Sequence, residues 1–347
     1  MSDNPKHILA IRLSSLGDVA MTVPVFQAVR KTYPKLKLTV LSRGFFKPLF
    51  EGIEDINFYE ADVKIKHRGI GGLWKLSGEL MRLKPDAVAD LHNVLRSKVL
   101  GLFFRLRGLN TVVLDKGRSQ KAELTREKDK NLKPLTPTVE RYAQVFEKLG
   151  YPIDMSKNWY SPKRELPVAA HKIIGEEPLK WIGVAPFAAF PGKVYPPDLM
   201  EEVIKRLSVS GDYKILLFGG GREEARILEG LAQQYDRVES LVNRFSFSEE
   251  LAVISNLDLM IAMDSGNAHM AAMFGVPVVT LWGVTHPYLG FAPYGQPESH
   301  TLLADREQYP LIPTSVYGNK LPEGYEDVMR TISPDSVVKK VEEVVSN

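Results

Sequence analysis

The sequence predicts an α/β protein of two domains, each a parallel sheet covered by helices, and three observations lead there. The chain has 347 residues, about twice a common single domain. Short β-rich runs alternate with amphipathic helical stretches on both sides of the middle, the pattern of successive βα units. Between them, from Gly150 to Lys180, Pro152, Pro162, Pro167 and Pro178 interrupt a region of little periodicity, which reads as an interdomain linker. The expected domains are residues 1–165 and 166–347.

Each element has its own signal. HILAIRL from His7, LKLTVLS from Leu36 and INFYE from Ile56 are strand-like, and VAMTVPVFQAVRKTYP from Val19 has helical spacing between the first two. GLWKLSGELMRLK from Gly72 and VLRSKVLGLFFRLRG from Val94 are amphipathic, each followed or preceded by a short apolar run, DAVADLH and NTVVLD. After the linker the alternation restarts with WIGVAPF, a helix from Pro197 to Val209, YKILLFGG and GREEARILEGLAQQY. SEELAVISN, LDLMIAMDS, HMAAMFG and VPVVTLWG complete a second α/β half, and Pro334 to Val345 should be a helix free to pack on either domain. No short repeat or low-complexity tract interrupts this order.

Composition narrows the function classes. With 44% apolar and 25% charged residues the chain is suited to a globular enzyme rather than to disorder. The absence of cysteine removes disulfides, thiolate metal sites and cysteine nucleophiles. Met1 to Lys6 carries no secretory pattern and no run has the length of a membrane span, so a cytoplasmic home is expected. Charge is unevenly divided. Residues 1–165 hold 30 Lys and Arg against 18 Asp and Glu, whereas residues 166–347 hold 15 against 24. The basic half suits an anionic partner such as a phosphorylated substrate, an acidic membrane surface or nucleic acid, and equally well a plain solvated face. Its cations are not interleaved with a stacking motif or recognition helix, so nucleic acid is not expected.

In open α/β sheets ligands sit at the carboxyl ends of strands, which directs attention to the strand-to-helix junctions. Ser14, Ser15, Gly17 and Asp18 follow the first strand. Small residues there permit close approach of a ligand, and the one carboxylate can act as a general base; the same residues also cap a helix and complement its dipole. Ala188 and Ala189 lead to Lys193 after the first strand of the second half, where a cation can neutralise phosphate or simply be solvated. Asp264, Ser265, Gly266 and His269 interrupt an apolar stretch in a way packing does not demand, with Asp264 or Ser265 as the helix cap. Gly220 and Glu223 belong to a glycine-rich turn of the kind that cradles phosphate or sugar, without the full dinucleotide spacing. There is no Walker A motif, D-x-D pair, H-E-x-x-H or G-x-S-x-G, so no cofactor or metal is expected.

Taken together these motifs resemble one family over nearly the whole chain. R-L-S-S-L-G-D-V-A-M-T-x-P from Arg12, D-L-H-N-V-L-R-S from Asp90, K-V-Y-P from Lys193, F-G-G-G-x-E-E from Phe218 and D-S-G-N-A-H with A-A-x-F-G-x-P from Asp264 are similar to those of the ADP-heptose:lipopolysaccharide heptosyltransferases, glycosyltransferase family 9. The resemblance implies a GT-B fold, two Rossmann-like domains facing a cleft, with a phosphorylated lipid or oligosaccharide acceptor on the first domain and a nucleotide sugar on the second. It further implies metal-independent, inverting transfer with Asp18 as base and Lys193 as the phosphate-binding lysine. Asp264, Ser265, Gly266 and His269 match the nucleotide-binding segment, with Ala188, Ala189, Gly220 and Glu223 beside the donor. Ser14, Ser15, Gly17, Asn93, Arg96, Lys116 and Arg118 fall on the acceptor side. The resemblance also places the protein in the cytoplasm, peripheral to an anionic inner leaflet, and the cations from Lys116 to Lys133 are expected to contact the acceptor's phosphates or that leaflet. Ala188 and Ala189 depart from the polar side chains often found there, leaving only backbone amides. Other readings of the same chain are an inverting GT-B enzyme with a different nucleotide sugar, or a non-catalytic two-domain binding protein.

Overall fold

The computed structural model describes residue 4, residues 6–175 and residues 177–346. The chain divides into two units, one of residues 1–118 with 136–161 and the other of residues 119–135 with 162–347.

The first unit is built on five parallel strands, β1 (His7–Ile11), β2 (Lys37–Ser42), β3 (Ile56–Glu60), β4 (Ala87–Asp90) and β5 (Asn110–Val113), in the order β3-β2-β1-β4-β5. Every residue of β1 is buried. A strand covered on both faces needs apolar side chains on both, which is why HILAI runs apolar instead of alternating. The long helical stretch expected from Val19 is two helices, α1 (Leu16–Ala20) and α2 (Val23–Thr32), with Pro24 in the first turn of the second. Proline has no N–H for the preceding turn, so it begins a helix more readily than it continues one. Helices α3 (Gly69–Met81) and α4 (Leu95–Arg105) pack on one another and close the core through Leu73, Leu76, Leu80, Leu100 and Phe104. Helix α5 (Arg118–Thr125) carries the chain out of the unit, and α6 (Thr138–Glu147) brings it back against α2, with Phe146 edge-on to Phe26.

The second unit starts, beyond residues 119–135, with α7 (Val168–Ile174), a short helix inside the stretch read as linker. Its six-stranded parallel sheet comprises β6 (Lys180–Ala185), β7 (Tyr213–Leu217), β8 (Val238–Ser240), β9 (Leu259–Met263), β10 (Val278–Trp282) and β11 (Thr301–Leu303), in the order β11-β10-β9-β6-β7-β8. Covering it are α8 (Pro197–Ser210), α9 (Gly221–Gln234), α10 (Phe247–Ser255), α11 (Gly266–Ala272) and α12 (Pro334–Ser346). The last helix packs on α8 and buries Val337 and Val341 in this unit's core.

Both sheets are doubly wound. In the first the strand order reverses between β1 and β4, and in the second between β6 and β9. Crossovers leave in opposite directions at such a reversal and open a crevice beyond the strand ends, where ligands of this architecture bind.

Candidate functional site

Apart from the glycine turn after β7, the motif residues lie at these two reversals. At the end of β1, Arg12 is buried and fixed on three sides. Its Nη1 donates to the Leu91 carbonyl at 2.7 Å, its Nη2 meets Asp18 Oδ2 at 2.6 Å, and its guanidinium lies 5.7 Å from the centre of the Tyr142 ring. The Ser15 hydroxyl donates to the same carboxylate oxygen at 2.7 Å and the Ser15 amide approaches it at 3.4 Å. Asp18 is therefore held by a cation and a hydroxyl, and of the pair it is the member shown to solvent, its side chain 27% exposed against 5% for Arg12.

Across the reversal, Asp90 ends β4 wholly buried, and its Oδ1 accepts the amides of His92 and Asn93, each at 2.9 Å. That turn holds Asn93 at a positive φ of 47°, a conformation Asn tolerates better than most residues. The Asn93 side-chain amide donates to the Leu114 carbonyl at 2.7 Å, its own carbonyl receives Arg118 at 3.4 Å, and Ser14 Oγ lies 3.3 Å from His92 Nε2. Burial first, then the charges of Arg12 and Lys116, pulls the His92 imidazole down to about 3, so the ring is neutral at physiological pH. Lys116 is likewise pulled below the usual range, by burial and then by Arg12. Arg12 Nε, Asp90 Oδ2, His92 Nδ1 and Asn93 Oδ1 are all buried without a hydrogen-bond partner. Such atoms are ordinarily satisfied by ordered water or a polar ligand, and here they gather at the neighbouring ends of β1 and β4.

In the second unit, Lys193 follows β6 in a short 3-10 turn and its Nζ meets Asp264 Oδ2 at 2.9 Å, both side chains nearly buried. Thr285, just beyond β10, donates to the same oxygen at 2.9 Å. Gly318 lies against the lysine stem at a positive φ of 79°, and a Cβ there would sit 2.5 Å from Lys193 Cδ. Ser265 is the cap residue of α11, with its hydroxyl buried and unpartnered, and His269 is buried in that helix. Ala188 is half-buried and Ala189 exposed on the loop ahead of Lys193.

Ser14, Ser15, Asp18, Asn93, Lys116 and Arg118 thus share one strand-end cluster, beside Gly17 in α1 and Arg96, exposed in the first turn of α4. Lys193 and Asp264 form the other cluster. Of the two cap candidates Ser265 holds the cap position, without a side-chain capping bond, while Asp264 is engaged by Lys193. At the glycine turn, Gly220 precedes α9 and its amide bonds Glu224 at 2.8 Å, while Glu223 turns outward to Arg226 at 3.1 Å. Arg12, Asp90 and His92 lay inside the quoted motifs without an assigned role, and Thr285 lay outside them. Arg12, Asp90 and His92 had a visible signal, polar groups ending apolar runs, but Thr285 had none, since only the fold brings it to Asp264.

The basic stretch after Lys116 departs most from expectation. Lys121 is buried with its ammonium 3.8 Å from the centre of the Phe291 ring. Lys130 donates to the carbonyls of Leu311 and Pro313, and burial, with Arg306 next, pulls it down to about 8. These two cations serve packing in the second unit, and an exposed phosphate-contacting loop made of the whole stretch is not what the chain builds.

Two units, each a doubly wound parallel sheet covered by helices, have the architecture of the GT-B class. The sequence profile described as glycosyltransferase family 9 (heptosyltransferase) matches residues 73–316. The chain belongs to that family and is a glycosyltransferase. It is 24% identical over 301 residues to the lipopolysaccharide core heptosyltransferase OpsX of Haemophilus influenzae, covering 84% of this chain and 83% of that one. It is 26% identical over 360 residues to lipopolysaccharide heptosyltransferase 2 of Salmonella typhimurium, covering 98% of each. Among solved structures, the family 9 glycosyl transferase of Veillonella parvula superposes with a TM-score of 0.74 at 22% identity, over 98% of this chain and 97% of that one. E. coli ADP-heptose heptosyltransferase II gives 0.69 at 20% identity over 98% of both, which shows a common fold.

Proposed function

We propose that the protein transfers heptose from ADP-heptose to a phosphorylated acceptor of the lipopolysaccharide core, with inversion at the anomeric carbon and without a metal ion. The observation that carries this reading is the Asp18 carboxylate, fixed by Arg12 and Ser15 at the reversal of the first sheet and turned toward solvent. In this reading the first unit holds the acceptor and the second the donor. Asp18 takes the proton of the acceptor hydroxyl as that oxygen attacks, and the bond to the diphosphate breaks on the opposite face in one displacement with oxocarbenium character.

Arg12 orients the carboxylate and balances its charge. Neutral His92, bonded to Ser14, offers a ring nitrogen to acceptor hydroxyls, while Lys116, Arg118 and Arg96 meet acceptor phosphates. On the donor side, Lys193 leaves Asp264 for the diphosphate, and Asp264 with Thr285 and the Ser265 hydroxyl is left for sugar or ribose hydroxyls. The leaving-group charge is assigned to Lys193 and the loop amides. The same reading puts the enzyme in the cytoplasm, against an anionic leaflet that carries the acceptor; no helix among the described residues is long and apolar enough to cross a membrane.

The test is calorimetric titration with ADP-heptose followed by transfer to a core acceptor, with the product's anomeric configuration read by NMR and the reaction repeated in EDTA. Donor binding, an inverted linkage and activity in chelator are expected. A retained configuration or complete loss in EDTA would refute the mechanism, and preference for another nucleotide sugar would refute the donor.

A further inference from the structure

The outer faces of α3 and α4 carry more exposed apolar surface than solubility calls for. Ile70 and Trp74 on α3 are 71% and 51% exposed; Leu95, Leu102 and Leu106 on or just beyond α4 are 80%, 50% and 71% exposed. Side chains four or seven apart share a helix face, so Ile70 with Trp74, and Leu95 with Leu102 and Leu106, form two rows. The rows are neighbours. Trp74 stands edge-on to Phe103 at 5.0 Å, and the Arg107 guanidinium bridges from α4 to lie 3.9 Å from the centre of the Trp74 ring. A monomer rarely shows an apolar strip of this kind without a use for it.

Charge says what covers the strip. Residues 61–109 contain ten Lys and Arg but four Asp and Glu, and each of the four acids is engaged elsewhere. Asp62 accepts the amides of Lys64, Ile65 and Lys66. Glu79 is taken by Tyr59, Lys66 and His67, Asp86 by the amides of Lys6 and His7, and Asp90 is buried at the strand end. Lys75, Lys98 and Arg105 are exposed beside the apolar rows. A protein partner's interface would be depleted in lysine, whereas apolar side chains flanked by cations with no free acid suit a bilayer surface carrying anionic headgroups.

We propose that the α3–α4 face of the first unit is a membrane-docking surface. Ile70, Trp74, Leu102 and Leu106 enter the headgroup boundary, and Lys98 and Arg105 pair with anionic lipid. The surface sits on the unit that carries Asp18, and its use in reaching a lipid-borne acceptor rests on the function proposed above; the contact itself does not. It replaces the basic stretch after Lys116, whose Lys121 and Lys130 are committed to packing.

The experiment is sedimentation with vesicles of equal parts phosphatidylglycerol and phosphatidylcholine, against phosphatidylcholine alone, with donor titration as the check that each variant is folded. Wild type should sediment with the anionic vesicles and not with the neutral ones. Each cation near an anionic leaflet is worth about fivefold in partition, so Lys98→Gln with Arg105→Gln should weaken binding at least tenfold, and Leu102→Gln with Leu106→Gln comparably. Lys128→Gln with Lys133→Gln, exposed cations of the second unit, should change nothing. Quenching by brominated lipid should disappear in Trp74→Phe. Unchanged sedimentation of both α4 variants would overturn the proposal, as would loss confined to the Lys128 and Lys133 variant. A wild-type dimer that α4 substitution splits, without vesicle binding, would assign the face to a second copy instead. Vesicle binding by a protein that transfers no heptose would leave the docking surface standing and refute only the function.

Discussion

The two strand-end clusters use the same pair of charges in opposite ways. In the first unit Arg12 is locked by a carbonyl, a carboxylate and an aromatic ring, and the acid is the member left open to solvent. In the second the cation is a lysine on a four-carbon stem, packed beside Gly318, and it and its acid are buried about equally. A planar guanidinium with three directional partners is a fixed support, while an ammonium is a point charge that can exchange a carboxylate for a phosphate. In the function proposed above, the unit that shows its carboxylate takes the proton and the unit that can release its cation captures the leaving charge.

The largest effect should come from the displayed acid. Asp18→Asn keeps the shape and the Ser15 contact but cannot accept a proton, so turnover should fall by about two orders of magnitude or more while the donor dissociation constant stays put. Single-turnover kinetics beside calorimetry separate the two. Asp264→Asn under the same assay should act on donor binding instead; if Asp264→Asn and not Asp18→Asn abolished turnover at saturating donor, the comparison would be inverted.

The cations should differ in what their loss disturbs. Arg12→Ala leaves Asp18, Leu91 and the Tyr142 face without their partner, and removal of one member of a buried pair costs about 3 kcal/mol. Lys193→Ala leaves the nearly buried Asp264 with only Thr285 and should destabilise by a comparable amount, but it alone should weaken ADP binding, about tenfold or more, since a charge-assisted bond to phosphate is lost. Urea unfolding and ADP titration on both variants test this together, and an equal loss of ADP affinity in the two variants would erase the distinction between support and displaceable charge.

What the sequence disclosed of this arrangement, and what it hid, follows from range. Polar residues that interrupt apolar runs announce themselves locally, so Ser14 to Asp18 and Asp264 to His269 were legible, as were most strands of both sheets. Strand order is a long-range property, and without it the junction after β4 drew no attention as a junction, although those after β1, β6 and β9 stood above the glycine turn after β7. The pairing of Thr285 with Asp264 spans 21 residues and a crossover. Lys121 and Lys130 misled for a related reason: composition counts charges but does not say which of them meet carbonyls or a ring. The single helix expected from Val19 failed at Pro24, a local signal outweighed by the apolar periodicity around it.

The smallest expected effect compares one histidine in each unit. In the first, burial and then Arg12 and Lys116 pull His92 down to about 3; in the second, burial and then Arg306 pull His286 down to about 4. Both rings are neutral when folded, whereas an unfolded histidine takes a proton near 6.5. Below that value the unfolded chain binds protons that the folded chain refuses, so each histidine's contribution to stability is complete above 6.5 and declines as the pH falls toward its folded value. The slope is at most about 1.4 kcal/mol per pH unit for each ring. Urea midpoints measured from pH 7 to pH 5 should therefore fall for wild type and fall less steeply for His92→Asn and for His286→Asn, with the two gains adding in the double variant because the sites share no partner. His92 faces Arg12 and Lys116, so a bound anion at the first strand end should flatten the slope of wild type and of His286→Asn while leaving that of His92→Asn unchanged. Sulfate that flattened all three equally would mean that the anion acts elsewhere, and that the first unit's basic cluster is no more receptive to phosphate than the rest of the surface.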